Sequence, residues 1–209
     1  GIYVRKNSSV GMNSGTVKLM GKGGNVGVYV KDGLLTVSQG KIDVDGRAGD
    51  GVVAEYASVL MSGGEIKTTS NYGTTGIQLY EGKLNMSGGS ISATGSSESW
   101  GIKAQEKSEI VVSDAAPKEI KISGGTSGVT LVDGCLADIN ISKYVKITGG
   151  VHDKYSSMIG KLPEPVSLTA GKTGKLQLLS GDLGVKYLID AATSSQLEAK
   201  AASGDNSYS

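Results

Sequence analysis

Acidic side chains recur at one position of this 209-residue sequence, where stacking could turn them into a binding site. The position lies five residues after a recurring glycine and holds Lys6, Asp32, Tyr56, Glu81, Glu106 and Asp133. If successive copies stack at the ~4.8 Å spacing of strands, four carboxylates could bind a cation or sugar hydroxyl groups. Asp-Gly and Glu-Gly are also ordinary turn pairs, and we favour a row of turns.

A second outward column, on the third predicted strand of each repeat, is rich in lysine. It holds Lys18, Asp43, Lys67, Ser92, Lys121 and Lys146. Such a stripe could attract acidic glycans or phosphate-bearing surfaces, which makes Lys67 and Lys121 candidate binding residues. Solvent-exposed lysines also prevent exposed strands from pairing with other chains, and we favour this interpretation. The column lacks the carboxylate pair with which polysaccharide-cleaving enzymes work.

Four aromatic residues complete the candidate binding surface. Tyr3 and Tyr29 point outward on the first predicted strand of adjacent repeats, while Tyr72 and Trp100 lie in the variable connections that close successive repeats. Residues of this type contact proteins and sugars, and variable loops on one edge of a solenoid usually carry the binding surface. Stacked tyrosines also stabilise sheets by cross-strand packing alone, so both interpretations stay open.

The sequence predicts no catalytic residue, no cofactor site and no metal site. His152 is the only histidine, which excludes a histidine-based triad and a multi-histidine metal centre. Cys135 is the only cysteine and is expected to be a half-buried structural thiol. Residues 171–175 contain Gly-Lys-Thr without the spacing of a P-loop, and the calcium-binding nonapeptide repeat is absent. We therefore expect a protein that is not an enzyme.

These columns arise from a unit of about 25 residues that occurs six times. Each copy begins with Gly, an aliphatic residue, any residue and a second apolar residue, at Gly1, Gly27, Gly51, Gly76, Gly101 and Gly128. Apolar pairs at i and i+2 recur every seven residues, in the second copy as Val28/Val30, Leu35/Val37 and Ile42/Val44. A period of two indicates strands, and three short strands per copy indicate a solenoid. We predict an all-β, right-handed parallel β-helix of about six three-strand coils.

The spacing changes in the fifth and sixth copies. An inserted loop, residues 113–119, precedes Ile120/Ile122, which we align with Ile91/Ala93 on the third strand. In the sixth copy Ile139/Ile141 is the poorer match to the middle strand. The second corner of a copy repeats a glycine for which we predict a positive φ, at Gly15, Gly40, Gly64 and Gly89.

Composition and chain organisation limit the classes of partner. The 21 basic and 20 acidic residues give no net field, and only two arginines are present, so we expect no nucleic-acid binding. No apolar run approaches the roughly 18 residues of a membrane span, so we expect no membrane insertion. Residues 1–151 form the predicted β-helix, 152–165 a linker, and 166–209 a β-rich tail or cap with a loose C-terminus. Residue 1 is already in repeat phase, which predicts further coils upstream.

The Gly-Ile/Val-Tyr-Val openings and the Met-Ser-Gly-Gly-x-Ile corners of residues 1–150 resemble bacterial surface β-helices. They are similar to autotransporter passenger domains of the pertactin and Bartonella angiogenic types, and to glycine-rich β-helix repeats of gut bacterial surface proteins. For autotransporter passengers the resemblance implies export and a role in adhesion or host signalling. It supplies no catalytic motif.

We therefore expect a secreted or cell-surface bacterial module that is not an enzyme and that acts as an adhesin. Its partner would be a host cell-surface protein or glycan, bound through the variable edge and the outward tyrosines. Two alternatives stay open. A structural stalk could stack end to end, because open solenoid ends expose unpaired strands. A polysaccharide-active enzyme would need a carboxylate cluster assembled by loops.

Overall fold

A computed structural model of the chain describes residues 1–113, 117–132, 134–141, 144–149, 151–153, 174–179 and 186–190. These ranges contain strands and turns and no helix. The strands are β1 Ile2–Val4, β2 Ser9–Met12, β3 Thr16–Lys31, β4 Leu34–Val37, β5 Lys41–Glu55, β6 Ser58–Ser70, β7 Thr74–Tyr80, β8 Lys83–Gly95, β9 Ser99–Gln105, β10 Glu109–Val112, β11 Ile120–Gly124, β12 Ser127–Leu131, β13 Leu136–Ile141, β14 Val145–Thr148, β15 Val151–Asp153, β16 Gly174–Leu179 and β17 Lys186–Asp190.

The strands wind into a parallel β-solenoid of about six turns, which confirms the predicted all-β solenoid class. A strand pairs in parallel with the strand that occupies the same position one coil later, as β5 does with β7 and β7 with β9. The longest strands, β3, β5, β6 and β8, run continuously around a corner and therefore contribute to two positions of the coil.

The core is a set of apolar columns that run along the solenoid axis. On the first strand of successive coils Val28, Val52, Ile77, Ile102 and Val129 stand in register, and none is exposed to solvent. The other two positions of the coil stack in the same way, with Leu35 on Val59 and Ile42 on Ile66. Each fully buried side chain of this size contributes about 1.5–3 kcal/mol of transfer free energy, so the repeat itself supplies the core.

The predicted alignment of the fifth and sixth coils is wrong by two residues. Ile122 pairs with Ile91, while Ile120 lies opposite Gly89 at the corner. The seven-residue spacing fails here because the insertion changes where the third strand begins. Ile120 is buried as well as Ile122, although it lies opposite Gly89. In the sixth coil Ala137 and Ile139 occupy the middle strand, because that buried position accepts a small apolar residue.

The opening glycine of a coil is required by lack of space. A Cβ atom at Gly76 would lie 2.4 Å from Cγ2 of Ile91 and 2.5 Å from the carbonyl oxygen of Gly101. The second corner instead requires glycine for its backbone torsion. The predicted positive φ is confirmed at Gly15, Gly64 and Gly89 but not at Gly40.

Beyond the solenoid, β16 pairs antiparallel with β13 and with β17. Residues 152 and 153 of the predicted linker belong to β15, which pairs with β12. Residues 154–173, 180–185 and 191–209 lie outside the described residues, so the rest of the linker and the tail as a separate unit stay predictions. The right-handed sense of the coil also stays a prediction. The part of the chain that the structure describes holds no helix with the length and hydrophobicity of a membrane span.

Candidate binding groove

Two grooves lie along the edge formed where each third strand leads into the next coil. The first, called the Trp100 groove, has a volume of about 600 Å³ and is lined by Asp50, Thr75, Gln78, Glu98, Trp100 and Lys103 beside several glycines. The second, called the Tyr72 groove, has a volume of about 580 Å³ and is lined by Met20, Lys22, Asp45, Arg47 and Tyr72. Both grooves therefore lie at the variable edge.

Strand register assembles the Trp100 groove from three coils. Asp50 pairs with Thr75, and Thr75 pairs with Trp100, so these residues form one row across β5, β7 and β9. Three residues further along the same strands, Gln78 pairs with Lys103. Adjacent parallel strands lie about 4.8 Å apart, so the rows bring acid, hydroxyl, amide, amine and indole groups together.

Asp50 is a half-buried acidic residue that lines the Trp100 groove. The half-buried carboxylate accepts a hydrogen bond from the backbone N–H of Thr75 at 3.1 Å, and the Thr75 side chain also bonds to it. Burial raises the pKa of Asp50, while the Thr75 hydrogen bonds and the Lys103 charge oppose the shift. A carboxylate has about four acceptor positions, so acceptor capacity remains beyond the contacts with Thr75.

Trp100 and Lys103 form the far wall of this groove. The Lys103 ammonium lies 4.1 Å from the centroid of the indole ring, a cation–π contact that restrains both side chains. Trp100 was predicted to lie in a connecting loop, but it is the second residue of β9 and is half-buried. Gln78 faces the same space, and its Nε2 donates to the hydroxyl of Tyr80.

The Tyr72 groove is also bordered by an aromatic ring held by a cation. The Arg47 guanidinium lies 4.7 Å from the ring centroid of Tyr72, and its Nη2 donates to the phenol oxygen at 3.1 Å. Ser70 fixes the bend, because its Oγ accepts from the Tyr72 N–H and donates to the Arg47 carbonyl. Tyr72 remains 49% exposed and Met20 68% exposed, so apolar surface is available for contact.

Tyr3 and Tyr29 stack as predicted but line neither groove. They pair in register, and their ring centroids lie 5.0 Å apart at an interplanar angle of 31°. Burial and a hydrogen bond to Glu55 raise the pKa of Tyr29 above its usual range, and Glu55 also pairs with Lys31 at 2.8 Å. This network favours a packing role for Tyr29, whereas Tyr3 keeps 53% of its surface exposed.

The lysine column does not form one continuous row. Lys67 pairs with Ser92, but Lys121 pairs with Ser90, so the two candidate lysines stand in adjacent rows. Lys121 also forms an ion pair with Glu119 at 2.5 Å, and mainly this contact lowers the pKa of Glu119. Neither lysine lines a groove described above.

The acidic column forms turns. Asp32, Tyr56, Glu81 and Glu106 have left-handed φ values of 50°, 48°, 44° and 55°, and Asp133 lies outside the described residues. Within the described part of the chain, no three acidic, histidine or cysteine side chains are grouped to hold a metal ion. Cys135 is completely buried rather than half-buried, and its Sγ donates to the carbonyl of Val132 at 2.7 Å.

The predicted site residues thus fall into three separate areas, and of these residues Tyr72 and Trp100 border the two grooves described above. The residue pattern did not single out Asp50 or Arg47 as candidate site residues. A signal for Asp50 was present, because Asp50, Thr75 and Trp100 each directly precede an opening glycine in successive copies. Comparison with protein-family models, curated proteins and solved structures finds no match.

Proposed function

We propose that this chain is a binding module of a secreted or surface-exposed bacterial protein, and that it acts as an adhesin rather than as an enzyme. Its partner is a protein or glycan on a host cell surface, bound at the variable edge. One observation carries the proposal: both grooves are bordered by an aromatic ring held by a cation, Trp100 by Lys103 and Tyr72 by Arg47. Trp, Tyr and Arg are enriched among residues that dominate binding energy.

The rigid scaffold supports the same proposal. Trp100 belongs to a strand paired on both sides, with β7 and β12, and the bend that carries Tyr72 is held by Ser70. Side chains that are already ordered lose little conformational entropy when a partner binds. The edge therefore presents two pre-organised aromatic contacts.

The test is binding of the labelled chain to intact mammalian cells, titrated and competed with unlabelled chain. We expect a saturable, competable isotherm that the double variant Trp100→Ala/Tyr72→Ala weakens about tenfold or more, since hot-spot truncations cost at least about 2 kcal/mol. Tyr56→Ala is the matched control, because Tyr56 is 54% exposed in the bend that follows β5 and lines neither groove.

A flat isotherm, or a double variant that binds like the parent, contradicts the proposal. A flat isotherm combined with concentration-dependent self-association in sedimentation would favour the structural stalk. New reducing or unsaturated ends released from a polysaccharide panel would favour the enzyme. Thermal unfolding of each variant shows whether a loss of binding reflects a loss of structure.

A further inference from the structure

We propose that the Trp100 groove binds an uncharged sugar residue of a glycan. This inference rests on the proposed function and assigns a ligand class to one of its two grooves. The groove volume of about 600 Å³ lies within the 300–1,000 Å³ typical of small-ligand sites. A ligand of that size is one or a few sugar rings rather than a folded domain.

The polar groups of the groove suit vicinal hydroxyl groups. Asp50 is held in place by Thr75 and retains acceptor positions, so it can accept hydrogen bonds from sugar O–H groups. Across the groove Lys103 is a donor, and Gln78 carries an amide oxygen in addition to the Nε2 group bound to Tyr80. A sugar ring with several hydroxyl groups can form hydrogen bonds with these acceptors and donors at the same time.

The apolar side of a sugar ring also finds a partner. Trp100 lines the groove and is half-buried, so the indole presents apolar surface beside its polar neighbours. Gly24, Gly49 and Gly73 also line the groove and contribute only backbone to it. A ring with one apolar face and hydroxyl groups at its edge matches this combination.

Charge selects against acidic sugars. The ionisable side chains that line the groove are Asp50, Glu98 and Lys103, two acids against one base. The Lys103 ammonium already contacts the Trp100 ring. A uronate or sialate carboxylate would meet a net negative wall, whereas an uncharged hexose would not.

The test is isothermal titration of the full chain with neutral gluco-, galacto- and manno-oligosaccharides, and in parallel with sialylated and uronate oligosaccharides. We expect a neutral ligand to bind and an acidic one to bind at least about tenfold more weakly, a difference of about 1.4 kcal/mol. Asp50→Asn is expected to weaken the neutral ligand about tenfold or more while keeping an acceptor for the Thr75 N–H. Asp43→Asn, a half-buried acid on the third-strand face, is the matched control and should change affinity less than about twofold.

Three results would overturn this inference: no neutral oligosaccharide binds, an acidic one binds better, or Asp50→Asn binds like the parent chain. Cell binding separates the two proposals. If saturable cell binding persists without any effect of neutral sugars, the adhesin proposal stands and the sugar assignment fails. If a neutral sugar binds to the groove but cells do not bind the chain, the sugar assignment stands and the adhesin proposal fails.

Discussion

At the scale of single residues, Asp50 is where folding stability and the proposed sugar binding make opposite demands. Its carboxylate is partly withdrawn from water and interacts with Thr75 and, at longer range, with Lys103. Desolvation is the largest influence on its pKa and favours the protonated form. An ionised Asp50 lowers the stability of the fold, and such a cost is consistent with the proposed role of Asp50 in ligand binding.

Asp50→Asn should increase stability at neutral pH. The folded-state pKa of Asp50 lies above its unfolded value, so its favourable contribution exists below the unfolded pKa and is lost as pH rises through the folded pKa. The neutral amide avoids that loss. Urea unfolding of both chains should therefore show the advantage of the variant growing from about pH 3 to about pH 7. An advantage that is constant, or that shrinks toward neutral pH, would show that desolvation of Asp50 is unimportant.

At the scale of the coil, close contact between successive turns depends on the opening glycines. The space at Gly76 is bounded by a core side chain and by the backbone of the next coil. A methyl group there would push apart the two coils that carry Thr75 and Trp100 in register. The same glycine column that supports the core therefore also sets the geometry of the Trp100 groove.

Gly76→Ala should destabilise the protein by about 1–3 kcal/mol, the usual consequence of overpacking. Gly23→Ala is the matched control, because a Cβ atom at Gly23 would have no atom within 4 Å and Gly23 has no positive φ. Denaturant midpoints of the two variants give the comparison. Equal midpoints would mean that the coils can separate without loss of stability.

At the scale of the whole molecule, a solenoid is held together by contacts between neighbouring coils. Most strand pairs in the described residues join one coil to the next. Disturbing one coil should therefore open nearby coils more than distant ones. Cys135 reports on the sixth coil, because its side chain is completely buried.

Gly101→Ala should expose Cys135 to a thiol reagent far more than Gly27→Ala does. A Cβ atom at either glycine would approach the carbonyl oxygen of the next opening glycine to 2.5 Å, but only Gly101 adjoins the sixth coil. Under native conditions we expect labelling of Cys135 to accelerate about tenfold or more in Gly101→Ala and less than about twofold in Gly27→Ala. Equal acceleration would indicate one cooperative unit.

The sequence by itself determined the solenoid and most of its core. Apolar pairs at i and i+2, repeated every seven residues, specify which side chains point inward, because a strand alternates its faces. A repeat of constant length then places each pair on its predecessor. The predicted alignment of apolar pairs was wrong where the length of the repeat changed, at Ile120 and Ala137. Spacing alone does not show at which residue the chain resumes strand pairing after an insertion.

Only the tertiary structure decided which outward residues meet. The sequence predicts that four other candidate residues face outward as Trp100 does: Tyr3, Tyr29, Lys67 and Lys121. None of the four lines the Trp100 groove. The Trp100 groove exists because Asp50, Thr75 and Trp100 are stacked across three coils. Concavity depends on the path of the backbone between coils, which a pattern of polar and apolar residues does not specify.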